Sequence, residues 1–204
     1  VMQKRGQAFF SCAMMTLLAF VVTGVLVVIS PDGTGYSHVF INDGFARFMK
    51  VLSLTGAALS LVLSVGYARE MEIDKFEFPV LILFSTLGAM IMASSGNLMT
   101  LFVGLELSSL SIYILCAFAR DRVGAAEAGL KYFVLGSLAS GILLYGISLA
   151  YGFAGTLEYA GLQQAVRGSA VLPAGLMVGI VFVLVGRCFK LSMVPFHMWT
   201  PDVY

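Results

Sequence analysis

The chain has 204 residues, of which 59% are hydrophobic and 11% charged, with a formal net charge of +1. A soluble domain carries about 25% charged residues, so composition excludes a soluble globular fold and requires an integral membrane protein. The near-neutral balance, with no basic block interleaved with aromatics, carries no nucleic-acid signal.

A helical span needs about 20 apolar residues at a rise of about 1.5 Å to cross hydrocarbon about 30 Å thick. Six segments qualify, which predicts an all-α polytopic transmembrane bundle of about six spans forming a single membrane domain over residues 1–204. The first, 8–29, follows Lys4 and Arg5. It is too long for a signal-peptide core and lacks a convincing cleavage site before Pro31, so it is read as a retained span. The turn-rich loop 30–44, with Pro31-Asp32-Gly33 and Asn42-Asp43-Gly44, leads to a second span over 45–68. Arg47 and Lys50 near its start read as side chains snorkelling to the interface.

After the charged linker Arg69–Glu77, a third span covers 79–95, with Pro79 at an acceptable first position. Gly96-Asn97 turns into the fourth, 98–119, and Arg120-Asp121-Arg122 closes it. The fifth, 125–151, carries Glu127 and Lys131 four apart, the favourable order for a helical ion pair. Gly136 with Ser140, and Ser137 with Gly141, form small-xxx-small pairs that let helices approach closely, so this helix is expected inside the bundle. A hydrophilic loop, 152–171, precedes the sixth span, 173–194.

Lysine and arginine in the connections set orientation. The amino-terminal tail, the second-to-third linker and the fourth-to-fifth turn share a face with Lys4, Arg5, Arg69, Lys75, Arg120 and Arg122; the other face has Arg47, Lys50 and Arg167. The tail is therefore expected in the cytoplasm.

Three cations remain inside apolar segments: Lys131, Arg187 and Lys190. Among the acids, Glu106 lies deep in a span. An unpaired charge in hydrocarbon costs about 3 kcal/mol on insertion scales, so intramembrane ionisable groups pair and mark function. On a helix, the face of Glu106 continues through Ser109 and Tyr113 at i+3 and i+7, a polar stripe on an apolar rod. Glu106 placed against Lys190 forms a buried ion pair whose opening and closing can move a proton. Arg187, permanently charged, is a structural cation or a tuner of Lys190. His197 is a further candidate, because histidine as a residue type can exchange protons near neutral pH.

The stretch Val183–Tyr204 combines these charges with irregular backbone. Pro195 interrupts the helix, and Thr200-Pro201-Asp202 reads as a restart with Thr as cap and Pro first. A broken helix near the carboxyl-terminal end is expected. Cys12, Cys116 and Cys188 stand alone in apolar runs and read as packing residues. No cofactor or metal motif is present in the chain.

GLELSSLSIY, EAGLKYFVLGSLASG and FKLSMVPFHMWTPDVY strongly resemble the subunit N family of the proton-pumping NADH-quinone oxidoreductase, respiratory complex I, over nearly the whole chain. The wider antiporter-like family shares P-[FL]-H-x-W but typically continues LPDA, where this sequence has TPDV. The resemblance implies part of an inverted-repeat antiporter-like fold and a proton relay through Glu106, Lys131 and Lys190, with His197 as an extension. It also implies a multi-pass protein of a bacterial cytoplasmic membrane. Other membrane subunits of the complex and the lipid bilayer are its expected partners; NADH, FMN, iron–sulfur clusters and quinone belong to other subunits. A cation/proton antiporter subunit is the alternative. Family members usually carry a helix before the first span here and several after TPDVY, so the chain reads as a fragment with the proton-entry half. They also have a small or apolar residue where this sequence has Arg187.

Overall fold

The computed structural model describes residues 2–36, 38–71, 73–168 and 171–203, with side chains from Gly6 onward. The side chains of Lys4 and Arg5, Glu72 of the charged linker, and Tyr204 at the end of the last stretch lie outside the described residues.

Helices α1 (Met2–Ile29), α2 (Gly44–Glu70), α3 (Glu77–Ala93), α4 (Leu98–Cys116), α5 (Val123–Ala154) and α7 (Ala174–Lys190) correspond to the six expected spans. Four of them, α1 (from Gly6), α2, α4 and α5, are long and apolar enough to cross a membrane. At 17 residues each, α3 and α7 lie at the lower end of the spanning range of about 17–25.

Two elements were not expected. Inside the turn-rich loop, β1 (Gly33–Gly35) pairs antiparallel with β2 (Phe40–Asn42), Thr34 opposite Ile41. The hydrophilic loop before α7 contains α6 (Tyr159–Gly168), whose Leu162 and Ala165 pack on the core. Helix α1 begins at Met2 and not at residue 8, and α7 ends at Lys190 and not at residue 194. Ser192 has a left-handed φ of 54°, and the residue before Pro195 is biased away from helical backbone. Short helix α8 (Thr200–Val203) comes next. It starts at Thr200 itself, and Thr200 Oγ1 is buried without a hydrogen-bond partner, so the expected threonine cap is not made.

The helix ends have local causes. Asp43 caps α2 by accepting from Ala46 N at 2.7 Å, and Asn97 caps α4 by accepting from Thr100 N at 2.7 Å. Gly155, at φ 71°, ends α5 in a left-handed cap with its N–H on Tyr151 O. Arg47 and Lys50, expected to snorkel to the interface, reach the loop at that end: Arg47 pairs with Asp32, and Lys50 donates to Asn42 Oδ1 at 3.0 Å.

The hairpin, the α3–α4 turn and the α5–α6 connection meet at one end of the bundle. Ile41 N donates to Ser94 O at 2.8 Å, Gly96 N to Val39 O at 2.9 Å and Leu98 N to Leu157 O at 3.1 Å. At the opposite end the start of α1, the α2–α3 linker and the α4–α5 turn come together, as expected. There Cys12 Sγ donates to Phe76 O, Lys75 lies over the Phe118 ring, and Arg122 reaches Met71. The first is called here the hairpin end and the second the tail end.

Much of the outer surface of α1 and α2 is large apolar side chains, including Met15, Leu18, Val21, Leu59 and Leu63, as suits contact with lipid. Inside, Phe20, Leu54 and Leu61 join α1 to α2. Two further cores bind α4, α5 and α7. Toward the hairpin end, Leu101, Leu105, Leu143, Ile147, Leu176 and Val183 pack together; toward the tail end, Tyr113, Tyr132, Ala139, Phe189 and Trp199 do. Helices α5 and α7 approach so closely that a Cβ on Gly146 would stand 2.7 Å from Val183 N and 2.8 Å from Gly179 O, a seam that only glycine allows.

Candidate functional site: a hydroxyl belt between two apolar plugs

The two cores leave a belt between them. On α4, Leu105 belongs to one core and Tyr113 to the other; Glu106 and Ser109 lie between. On α5 the same interval holds Ser140; on α7, Lys190 stands beside Phe189 of the tail-end core and reaches the belt through its side chain. Apolar side chains above and below keep this interval low in dielectric, which strengthens every polar contact within it.

Each polar group of the belt has a partner. Ser140 Oγ donates to Glu106 Oε1 at 2.5 Å. Lys190 Nζ donates to Ser109 Oγ at 2.9 Å and to the Tyr113 hydroxyl. The ammonium stands 4.9 Å from the centre of the Tyr113 ring, on its hydroxyl side. The i+3 and i+7 stripe read from the sequence is therefore the surface that receives Lys190. Glu106 and Lys190 themselves form no direct ion pair in this structure: the carboxylate turns to α5 and the ammonium to the two hydroxyls one and two turns farther along α4.

The position of Lys190 is set by the length of α7. Eleven residues of α4 separate Leu98 from Ser109, about 16 Å of helix, so the ammonium sits well inside the bundle and not at its tail end. Helix α7 stops there, and Trp199 secures the irregular segment beyond the break. Its indole is 2% exposed, stacks on Tyr132 with centroids 4.1 Å apart and planes within 9°, and donates Nε1 to Phe189 O at 3.3 Å. The same carbonyl also accepts from Ser192 N at 3.1 Å, so the last turn of α7 is closed by main chain and indole together. Sequence reasoning misses Trp199 as a site residue; its place in the P-F-H-M-W sequence beside a helix break is the available signal.

The other expected residues lie elsewhere. Lys131, exposed on α5, pairs with Glu127 at 2.8 Å and with Asp202 of α8 at 3.1 Å. The local pair anticipated from the i,i+4 spacing is present, and Asp202 adds a tie between α5 and α8. His197 is exposed, and its side chain makes no hydrogen bond or ion pair among the described residues. Arg187 faces a cleft of about 490 Å³ lined by Asp43, Ala46, Met49, Met92 and Leu101. Neither Glu106 nor Lys190 lines that cleft, so Arg187 does not compete for the carboxylate in this arrangement. Of the small-residue pairs on α5, Gly136 and Ser140 are buried against α4, whereas Ser137 and Gly141 are exposed.

Residues 95–204, more than half of the chain and the part that builds the belt, match the family model described as NADH:quinone oxidoreductase/Mrp antiporter, transmembrane. The chain is 70% identical to NADH-quinone oxidoreductase subunit N of Gluconacetobacter diazotrophicus, the match covering all of this chain and 43% of the relative. It thus spans less than half the length of that relative. Among solved structures, it resembles a chain of respiratory complex I from Thermus thermophilus, with a TM-score of 0.77 and 33% identity over 96% of this chain and 42% of that one. It also resembles a chain of the Mrp complex from Dietzia, with a TM-score of 0.73 and 25% identity over 97% of this chain and 38% of that one. The chain belongs to the NADH:quinone oxidoreductase/Mrp antiporter family of transmembrane proteins.

Proposed function

We propose that the chain is the proton-entry part of a subunit N of NADH-quinone oxidoreductase, a membrane subunit that moves protons and holds no redox centre of its own. The observation that carries this reading is the belt: a carboxylate on α4 and an amine at the end of α7 share one interior layer, each held by hydroxyls and sealed by apolar cores. Two ionisable groups of opposite sign in a low-dielectric layer change proton affinity strongly when they separate or meet. They stand apart here, and bringing them together needs a change of hydroxyl partners.

In this reading Glu106 and Lys190 form a pair that opens and closes, and Lys131 passes the proton onward. The arrangement gives His197 no comparable position. The excess of cations at the tail end supports placing that end in the cytoplasm, with the subunit in a bacterial cytoplasmic membrane among the other membrane subunits of the complex. Electron transfer from NADH through FMN and iron–sulfur clusters to quinone occurs in those other subunits and drives the pump.

The test is Glu106→Gln in the full-length subunit within the assembled complex. Proton translocation per electron falls while NADH oxidation at the flavin continues; unchanged translocation overturns the assignment. The likeness to the Mrp complex chain supports one alternative, a cation/proton antiporter subunit. That reading requires cation–proton exchange in reconstituted vesicles with no redox partner present.

A further inference from the structure

In the sequence Tyr113 stands out only as the end of a polar stripe. In the structure it is 4% exposed, and its hydroxyl is seated where α5 has no side chain. A Cβ at Gly136 would lie 2.1 Å from that hydroxyl and 2.6 Å from Cζ, so the notch left by Gly136 is what admits the phenol. The ring is held edge-on by Tyr132, with centroids 4.5 Å apart and planes at 86°, and by Phe133 at 5.9 Å. A tyrosine fixed by α5 on two sides thus presents its hydroxyl to Lys190.

Lysine carries three donors on a flexible stem and goes where acceptors are fixed. The acceptors that Lys190 meets here are Tyr113 and Ser109, whereas Glu106 Oε1 is turned to Ser140 on α5. We infer that Tyr113, seated in the Gly136 notch, is a positioning residue that holds Lys190 apart from Glu106 and so sets the open arrangement of the pair. The inference rests on the proton-translocating reading above and assigns the open arrangement a specific cause. Closing requires the ammonium to leave the Tyr113 hydroxyl. Because the notch belongs to α5, a shift of α5 against α4 would move Tyr113 and release Lys190.

The experiment compares Tyr113→Phe, Gly136→Ala, Lys190→Met and Glu106→Gln in the full-length subunit within the complete complex. It measures complex content, NADH oxidation at the flavin, and protons translocated per electron in sealed vesicles. Tyr113→Phe keeps the ring and its packing and removes the hydroxyl. Its proton yield is expected to drop by at least half of the loss caused by Lys190→Met, with complex content unchanged. Gly136→Ala fills the notch and is expected to lower the yield in the same way; it decides the matter if Tyr113→Phe fails to assemble. A wild-type proton yield in whichever of these two variants assembles, beside a reduced one in Glu106→Gln, overturns the positioning role alone. A wild-type yield in Glu106→Gln overturns the underlying reading. Falls in complex content and flavin activity that parallel the fall in yield make Tyr113 a packing residue and also overturn the inference.

Discussion

Trp199 lies flat on Tyr132, ring centroids 4.1 Å apart, and through the same indole donates to the carbonyl of Phe189. One side chain therefore joins three things: the end of α7, the segment beyond the break, and the interior face of α5. Replacing it with Ala removes a fully buried aromatic, a change that costs about 3–5 kcal/mol in protein cores. Trp199→Ala should lower the melting temperature of the detergent-solubilised complex, and Trp199→Phe should lower it less. A melting curve identical to wild type for the alanine variant would show that the stacking does not fix the break.

The α5–α7 seam makes a sharper prediction. Gly146→Leu places its first carbon within 2.8 Å of the α7 backbone and should prevent the subunit from accumulating in membranes. Gly141→Leu, on the exposed side of the same helix, should be tolerated. Immunoblots of membrane fractions read both outcomes, and equal accumulation of the two variants would contradict the seam.

Lys131 has two acidic partners, Glu127 on its own helix and Asp202 on α8. Removing one leaves the other, so Asp202→Asn should preserve proton yield per electron. Glu127→Gln combined with Asp202→Asn strands the amine and should lower the yield toward that of Lys131→Met. Equal yields in the double variant and wild type would place Lys131 outside the proton path.

Asn97 carries a cap and not chemistry. Asn97→Ala should destabilise the start of α4 by about 1 kcal/mol, the usual worth of an N-cap side chain, and Asn97→Asp should restore it. The check is thermal denaturation of the assembled complex, with proton yield unaffected in both; a lowered yield at wild-type stability would mean that the cap reaches the belt.

Hydropathy alone places the long rods, because a helix that must satisfy its own backbone in lipid leaves an apolar run in the sequence. Three-residue strands leave no such trace: Gly33–Gly35 and Phe40–Asn42 are too short for alternation to show, and Ile41 N bonds to Ser94 O, far away in sequence. Helix α6 is hidden for a different reason. Its apolar residues at 159, 162 and 165–166 fit one helical face, but a span-length window averages them with polar neighbours. In the belt, Glu106 and Lys190 are legible as charges out of place, and the Ser109–Tyr113 stripe as a helical period. That Lys190 chooses the stripe over the carboxylate is not legible, since it depends on where α7 stops and on the empty position at Gly136. Lys131 looks like a member of the interior set and proves to be tied outward by Glu127 and Asp202.

The lacing of main-chain bonds among the hairpin, the α3–α4 turn and the α5–α6 connection has no counterpart among the described residues at the tail end, where side chains alone bridge the elements. Such a body works like a clothes peg: fastened at one tip, free to part slightly at the other. Rocking of the rods is therefore expected to be larger on the side where protons are proposed to arrive than beneath the fastened tip, a difference that hydrogen exchange at the two ends would read.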